Sequence, residues 1–215
     1  MSVFEQLAAN KGTVSSALGK ALAREVLRDS RSDILLECID LASCDAASPA
    51  SRNIRAGAAK VVEIVAEERP GLVAPHLKTL LPALSVAEPQ TRWMIIRVMG
   101  FCAHLNAPVA REAVAYAERY LSDKKGLVLA SSADLFLGDL GAISKEDARS
   151  VFPILEKSLA SPLANEADWL LEALVKAVPN LDRDERKKAL AFAERWRSAP
   201  RKATQERAKR LLGLQ

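Results

Sequence analysis

The chain has 215 residues and a formal net charge of +4. Charged residues make up 27% and apolar residues 49%, proportions that support a buried core and exclude a disordered chain. Nine glycines and ten prolines are too few for a turn-rich β protein, and no run reaches the roughly 18 apolar residues that a membrane helix needs. The first residues, MSVFEQLAANKG, carry an early acid at Glu5 and no long apolar stretch, so no secretory leader is expected. Cys38, Cys44 and Cys102 are odd in number and lack metal-ligand spacing, which predicts free thiols, no metal site and a reducing, cytoplasmic setting.

Apolar residues recur at three and four rather than two, the helical period. Ala, Leu, Arg, Glu and Lys dominate, and these are strong helix formers. The spacing predicts helices over 3–9, 13–28, 32–43, 50–68, 71–84, 89–105, 108–122, 126–140, 145–159, 164–178, 183–198 and 201–213. Asp33 is placed to cap the helix through Ile34–Leu41, and Pro70, Pro108 and Pro162 stand near helix starts, where a missing N–H costs little. Ser144-Lys-Glu-Asp147 puts acids in a first turn. Gly138-Asp-Leu-Gly141 is expected to act as a C-terminal glycine stop.

Every second helix from the fourth onward repeats. Ala59, Ile96, Ala133, Leu171 and Ala208 are 37, 37, 38 and 37 residues apart, and all are apolar. Three residues on, the column reads Val62, Met99, Phe136, Leu174 and Leu211, again apolar throughout. One residue on from the first column it reads Lys60, Arg97, Asp134, Glu172 and Lys209, all charged. A period near 37 with two helices per unit predicts an α-solenoid, in which no helix pair buries its apolar stripe alone.

Two segments carry a resemblance to the HEAT and armadillo repeat families. Residues 54–66, IRAGAAKVVEIVA, look like the second helix of a HEAT unit, and residues 91–100, TRWMIIRVMG, look like another, with Arg92 matching Arg55. The resemblance implies an all-α, right-handed α-α superhelix of about five helix-pair repeats over 32–215. Residues 1–31 are then an N-terminal helical cap or a degenerate repeat, and the whole is one structural domain. The pattern departs from the families where the Arg column becomes Leu129, Ala167 and Thr204.

In such solenoids the second helices line the concave side. A step of 100° per residue puts the columns of Ala56, Gly57, Lys60 and Ile64 on the arc away from the core. Trp93, Met94, Arg97 and Phe101 share that arc, as do Ser131 and Asp134, and then Asp168, Trp169, Glu172 and Lys176. The expectation is a groove with Trp93 and Arg97 beside Asp134, followed by an acidic step at Asp168 and Glu172. Aromatic and Arg side chains are typical anchors in binding hot spots, whereas a charged ladder can also be a solvated face whose members pair across repeats.

Residues 183–210 hold eleven basic residues against four acidic ones. Arg186, Lys187, Lys188, Arg201, Lys202, Lys209 and Arg210 form a candidate basic patch, readable as a nucleic-acid contact or as the polar outer face of a terminal repeat. Phosphate-cradling loops, nucleophile elbows and H-E-x-x-H zinc motifs are missing from the sequence, so no catalytic residue and no cofactor are expected. His76 and His104 read as surface groups, and Cys38 and Cys102 as small core residues. The leading expectation is a non-enzymatic scaffold that takes a protein or peptide in its groove, with no membrane association. The alternative is a nucleic-acid-binding protein. At fold level it is similar to HEAT-like DNA alkylation-repair glycosylases, a resemblance that casts Trp93, Asp134, Asp168 and Trp169 as the aromatic and carboxylate groups.

Overall fold

The computed structural model describes residues 1–9, 16–44, 49–123, 126–160 and 167–214, and no strand occurs among them. The α-helices are α1 (Val3–Ala9), α2 (Ser16–Asp29), α3 (Ser32–Ser43), α4 (Pro49–Glu68), α5 (Pro70–Val73), α6 (Leu77–Leu80) and α7 (Pro89–Phe101). They continue as α8 (Ala107–Glu112), α9 (Val114–Asp123), α10 (Leu127–Gly141), α11 (Lys145–Ala160), α12 (Ala167–Ala177), α13 (Arg183–Arg195) and α14 (Lys202–Leu212). The expected helix starts at 13 and 164, and Pro162, lie outside the described residues.

The chain forms two compact units, Met1–Val109 and Ala110–Gln215. In the first, α2 packs on α4 and α4 on α7, while α3 packs against α4 and α6. In the second, α10 packs on α12 and α12 on α14, with α9 and α11 against α10 and α13 against α14. Within each unit, then, second helices stack on second helices. Ahead of α4 in this series stands α2, while α1 packs against α3 and α4.

The period fixes what is buried. All ten residues of the two apolar columns are 0% exposed. Large apolar side chains give about 1.5–3 kcal/mol each on full burial, so Ile96, Met99, Phe136, Leu171, Leu174 and Leu211 anchor the stack. Polar bonds between neighbouring repeats keep the same spacing. Arg55 to Glu88, Arg111 to Asp147, Lys176 to Asp139 and Arg210 to Glu172 span 33, 36, 37 and 38 residues.

Local chemistry departs from the sequence expectations in four places. The helix expected over 71–84 is broken into α5, α6 and two 3₁₀ turns at Ala74–His76 and Leu81–Ser85. Pro75 and Pro82 fall just inside those turns, where each removes a backbone donor. The helix expected over 108–122 is interrupted between α8 and α9. Asp33 does not cap α3; it lies in the first turn and takes two hydrogen bonds from Arg31, at 2.9 and 2.7 Å. Gly138 and Gly141 lie in the last turn of α10, which ends at Gly141, but neither takes the positive φ of a glycine stop. A Cβ at Gly138 would lie 2.5 Å from the Ala173 Cα, and one at Gly141 would meet Ala177 and Val151 at 3.1 Å, so the two glycines bring α10 close to α12. The expected first-turn device at Ser144 is present: its Oγ accepts from the Asp147 N–H at 3.1 Å and donates to the Asp147 carboxylate at 2.8 Å.

Candidate functional site

The open face of the second helices is narrower than the helical wheel implies. In the first unit Ala56, Gly57 and Met94 are buried, and the Leu7 side chain of α1 lies over Gly57, where a Cβ would meet it at 2.8 Å. In the first unit α4 is covered by α2, α7 and α3, and in the second α12 is covered by α10, α14 and α11, so little of either helix is left open.

What remains open in the first unit is a strip across α2, α4 and α7. Gly19 on α2 leaves room for the stem of Lys60 on α4, which a Cβ there would meet at 3.1 Å. The Lys60 ammonium donates to Glu63 at 2.7 Å and lies 5.6 Å from the Trp93 ring centroid on α7. One turn on, the Arg97 guanidinium lies 4.4 Å from the Phe101 ring. Trp93, Arg97 and Phe101 are all half-buried. Each indole or phenyl face carries a cation, an arrangement worth about 0.5–1 kcal/mol at exposed sites. Burial pushes the Glu63 carboxyl above its ordinary value, against the opposing pull of Lys60.

Beside this strip, α2 and α4 bound a cavity of about 570 Å³ lined by Lys20, Arg24, Leu27, Arg28, Lys60, Ile64, Glu67 and Glu68. Lys20, Arg24 and Arg28 recur every four residues and share one face of α2. Each is exposed, and among the described residues none has a side-chain partner. This basic rail was not anticipated from the sequence, because residues 1–31 fall outside the 37-residue register. The four-residue spacing of the three cations was the available signal.

The second unit holds the other six residues of the expected arc, of which Ser131 is buried. Asp134 is 0% exposed, because α9, α11 and α12 enclose α10 and leave it almost no open face. Asp168 is 5% exposed, accepts a hydrogen bond from the Thr204 hydroxyl and is 3.2 Å from the Arg201 guanidinium. Glu172 is held by Arg210 at 2.5 Å and Arg207 at 3.3 Å, and Lys176 by Asp139 at 2.5 Å. Trp169 is 40% exposed, with the Arg207 guanidinium 5.7 Å from its ring. The expected acidic step is therefore corrected: Arg201, just before α14, neutralises Asp168, and Arg207 and Arg210 on α14 neutralise Glu172. Two buried or doubly held carboxylates also make a poor match to an open acid poised over a ligand.

The same bonds divide the basic C-terminal patch. Arg201 and Arg210 serve Asp168 and Glu172, and Lys188 pairs with Glu156 at 2.6 Å. Arg186 donates to the Val178 carbonyl at 3.1 Å, and Lys202 lies 3.9 Å from Glu206. Of the seven, Lys187 and Lys209 keep no side-chain partner among the described residues. Four of the seven thus bond across repeats, Lys202 pairs within α14, and Lys187 and Lys209 are exposed. The start of α13 carries an Asp182–Glu185 capping box that the sequence reading missed.

Burial pushes the Cys38 and Cys102 thiols up to about 12, so neither is a nucleophile at neutral pH. No group of three or more His, Cys, Asp or Glu side chains able to hold a metal ion occurs among the described residues. Nor is any helix among them long and apolar enough to cross a membrane.

Helix pairs stacked at a 37-residue period, with second helices packed on second helices, define an armadillo- or HEAT-like repeat solenoid, an all-α right-handed superhelix. No family model and no curated protein matches the chain. Solved structures do. An engineered protein shares 13% identity over 99% of this chain and 98% of its own, with a TM-score of 0.69. A designed armadillo repeat protein in complex with the peptide (KR)4 shares 12% over 92% and 91%, at 0.66. Computationally designed armadillo repeat proteins for modular peptide recognition share 15% over 98% and 97%, at 0.63. At these identities the likeness is one of fold.

Proposed function

We propose that the chain is a non-enzymatic interaction module that holds a protein segment on the open faces of its second helices. The observation that carries this reading is the strip on α2, α4 and α7, where three cations with no side-chain partner among the described residues flank apolar ground at Leu27 and Ile64 and lead to the cation-faced rings of Trp93 and Phe101. Trp93, Arg97 and Phe101 act as anchors, in keeping with the enrichment of aromatic and Arg side chains in hot spots. Lys20, Arg24 and Arg28 select an acidic segment and speed its encounter, since exposed rim charges act mainly on association. In the second unit, Trp169 with Glu172 and Lys176 offers another contact; Asp134 and Asp168 support that face from beneath. Two of the structural neighbours are described by peptide complexes or peptide recognition, which supports a peptide ligand here without specifying its sequence. The three free thiols support a reducing, cytoplasmic setting.

A random-peptide display selection on the wild-type chain tests this reading. Enriched sequences are expected to be rich in Asp and Glu around an apolar or aromatic residue. They should lose binding to Trp93→Ala/Arg97→Ala and, separately, to Lys20→Glu/Arg24→Glu. A library that enriches nothing, or sequences that bind both variants as they bind wild type, overturns the assignment.

A further inference from the structure

A second cavity in the first unit shares no residue with the strip above. It has a volume of about 450 Å³ and lies where α2 ends, α3 begins and the chain passes from α4 into α5. Its wall is Val26, Ser30, Ser32, Leu35, Leu36, Arg69, Gly71, Leu72, Pro75 and His76. The volume falls within the roughly 300–1,000 Å³ usual for small-molecule pockets.

The wall has two chemical parts. Val26 and Leu35 are buried and form an apolar floor, while Leu36 and Leu72 stand 44% and 41% exposed above it. Large apolar side chains scattered singly on a surface need no explanation; two that converge on one cavity with a buried apolar floor do. The polar part is Arg69, His76, Ser30 and Ser32, all exposed or half-buried and therefore at the rim. Arg69 and His76 have no side-chain partner among the described residues. No carboxylate lines the cavity, although Asp29, Asp33, Glu67 and Glu68 are close by in sequence.

We propose that this cavity binds a medium-chain aliphatic carboxylic acid, independently of the peptide-binding reading. The alkyl chain lies on Val26, Leu35, Leu36 and Leu72, and the carboxylate accepts hydrogen bonds from the Arg69 guanidinium, with His76 and the two serine hydroxyls in support. An Arg–carboxylate pair is about twice as strong as a neutral hydrogen bond. A peptide with a C-terminal leucine offers the same end group, but it brings a backbone donor and acceptor with every residue. Four polar side chains, which one carboxylate already engages, cannot satisfy those.

Isothermal titration calorimetry of the full chain with sodium decanoate, below its micelle concentration, tests the proposal. Decanoate should bind saturably at one site. 1-Decanol and sodium acetate, each lacking half of the ligand, should bind at least about tenfold more weakly. Arg69→Gln should weaken decanoate by about tenfold and leave decanol unchanged, and Leu72→Asp should abolish both. Both side chains are exposed, so thermal unfolding should confirm that the variants fold. Trp93→Ala should bind decanoate as wild type does. Absence of a saturable decanoate heat overturns the proposal. So does wild-type decanoate binding by both cavity variants, loss of binding in Trp93→Ala, or displacement of decanoate by an acetylated leucine-terminated peptide at lower concentration than decanoate itself.

Discussion

Gly138→Ala isolates the close approach of α10 to α12. A Cβ at this position would lie 2.5 Å from the Ala173 Cα, 2.7 Å from its carbonyl oxygen and 2.8 Å from its Cβ. Non-bonded carbons prefer about 3.5–4.0 Å, so the helices would have to separate by about 1 Å. The nearest atoms are backbone and cannot rotate aside as a flexible side chain would. Such overpacking costs about 1–3 kcal/mol. Alanine's helix propensity returns up to about 1 kcal/mol over glycine. With the full propensity gain the expected net loss is about 0–2 kcal/mol, or up to about 8 °C in Tm for a chain of this size. Urea unfolding followed by circular dichroism measures the first quantity and a thermal melt the second. Gly71→Ala, where a Cβ would meet nothing within 4 Å, serves as a control and should keep the propensity gain, being no less stable than wild type. Adding Ala173→Gly to Gly138→Ala should not restore stability, because the Ala173 Cα and carbonyl oxygen remain. A Gly138→Ala protein more stable than wild type by its propensity gain, or one rescued by Ala173→Gly, would refute the backbone clash.

Four further outcomes follow from buried charges. Arg55 and Glu88 are paired at 2.5 Å with side chains only 4% and 10% exposed, and Arg55 also donates to the Cys44 carbonyl at 2.6 Å. Arg55→Ala should therefore cost about 3–5 kcal/mol by leaving Glu88 without its cation, as read by urea unfolding. Burial pushes the Glu88 carboxyl up, but hydrogen bonds from Arg55, the Glu88 backbone and Thr91 outweigh it and hold it below its ordinary value. The hydrogen bond from Arg111 does the same for Asp147, against burial. Stability from both is present above the unfolded carboxyl pKa and is lost as pH falls through the lower folded one. Melts from pH 7 down to pH 3 should show that acid loss, and Arg111→Ala should reduce it while leaving the Glu88 part in place. Glu63 has the opposite sign: its raised pKa favours the protonated form, so the charged form opposes folding at neutral pH. Glu63→Gln should raise Tm at pH 7 and lose that advantage in acid. Thr204→Val should cost about 1–3 kcal/mol by removing the hydroxyl that donates to buried Asp168; an unchanged urea midpoint would show that Arg201 alone satisfies that carboxylate.

The sequence disclosed the stack because burial imposes a period. A residue that must lie under a neighbour in every repeat, as at Ile96, Phe136 and Leu174, repeats as an apolar residue whatever the local helix. The proposed anchors Trp93, Arg97 and Phe101 were legible for the converse reason, since they interrupt that apolar stripe at the right angle. Asp134 obeys the same angle and is buried, because the wheel sees one helix at a time and cannot register that α10 is enclosed by α9, α11 and α12. Pairing across repeats was equally hidden. Glu172 looks like a free acid in its own helix, and only the seating of α14 brings Arg207 and Arg210 to it. The α2 rail was lost for a more specific reason. Gly19 seats α2 on Lys60, but 37 residues before Val62 and Lys60 stand Glu25 and Ala23, so α2 stacks in series without continuing the columns. The face of α2 that α4 leaves open carries Lys20, Arg24 and Arg28, and no column of the repeat predicts it.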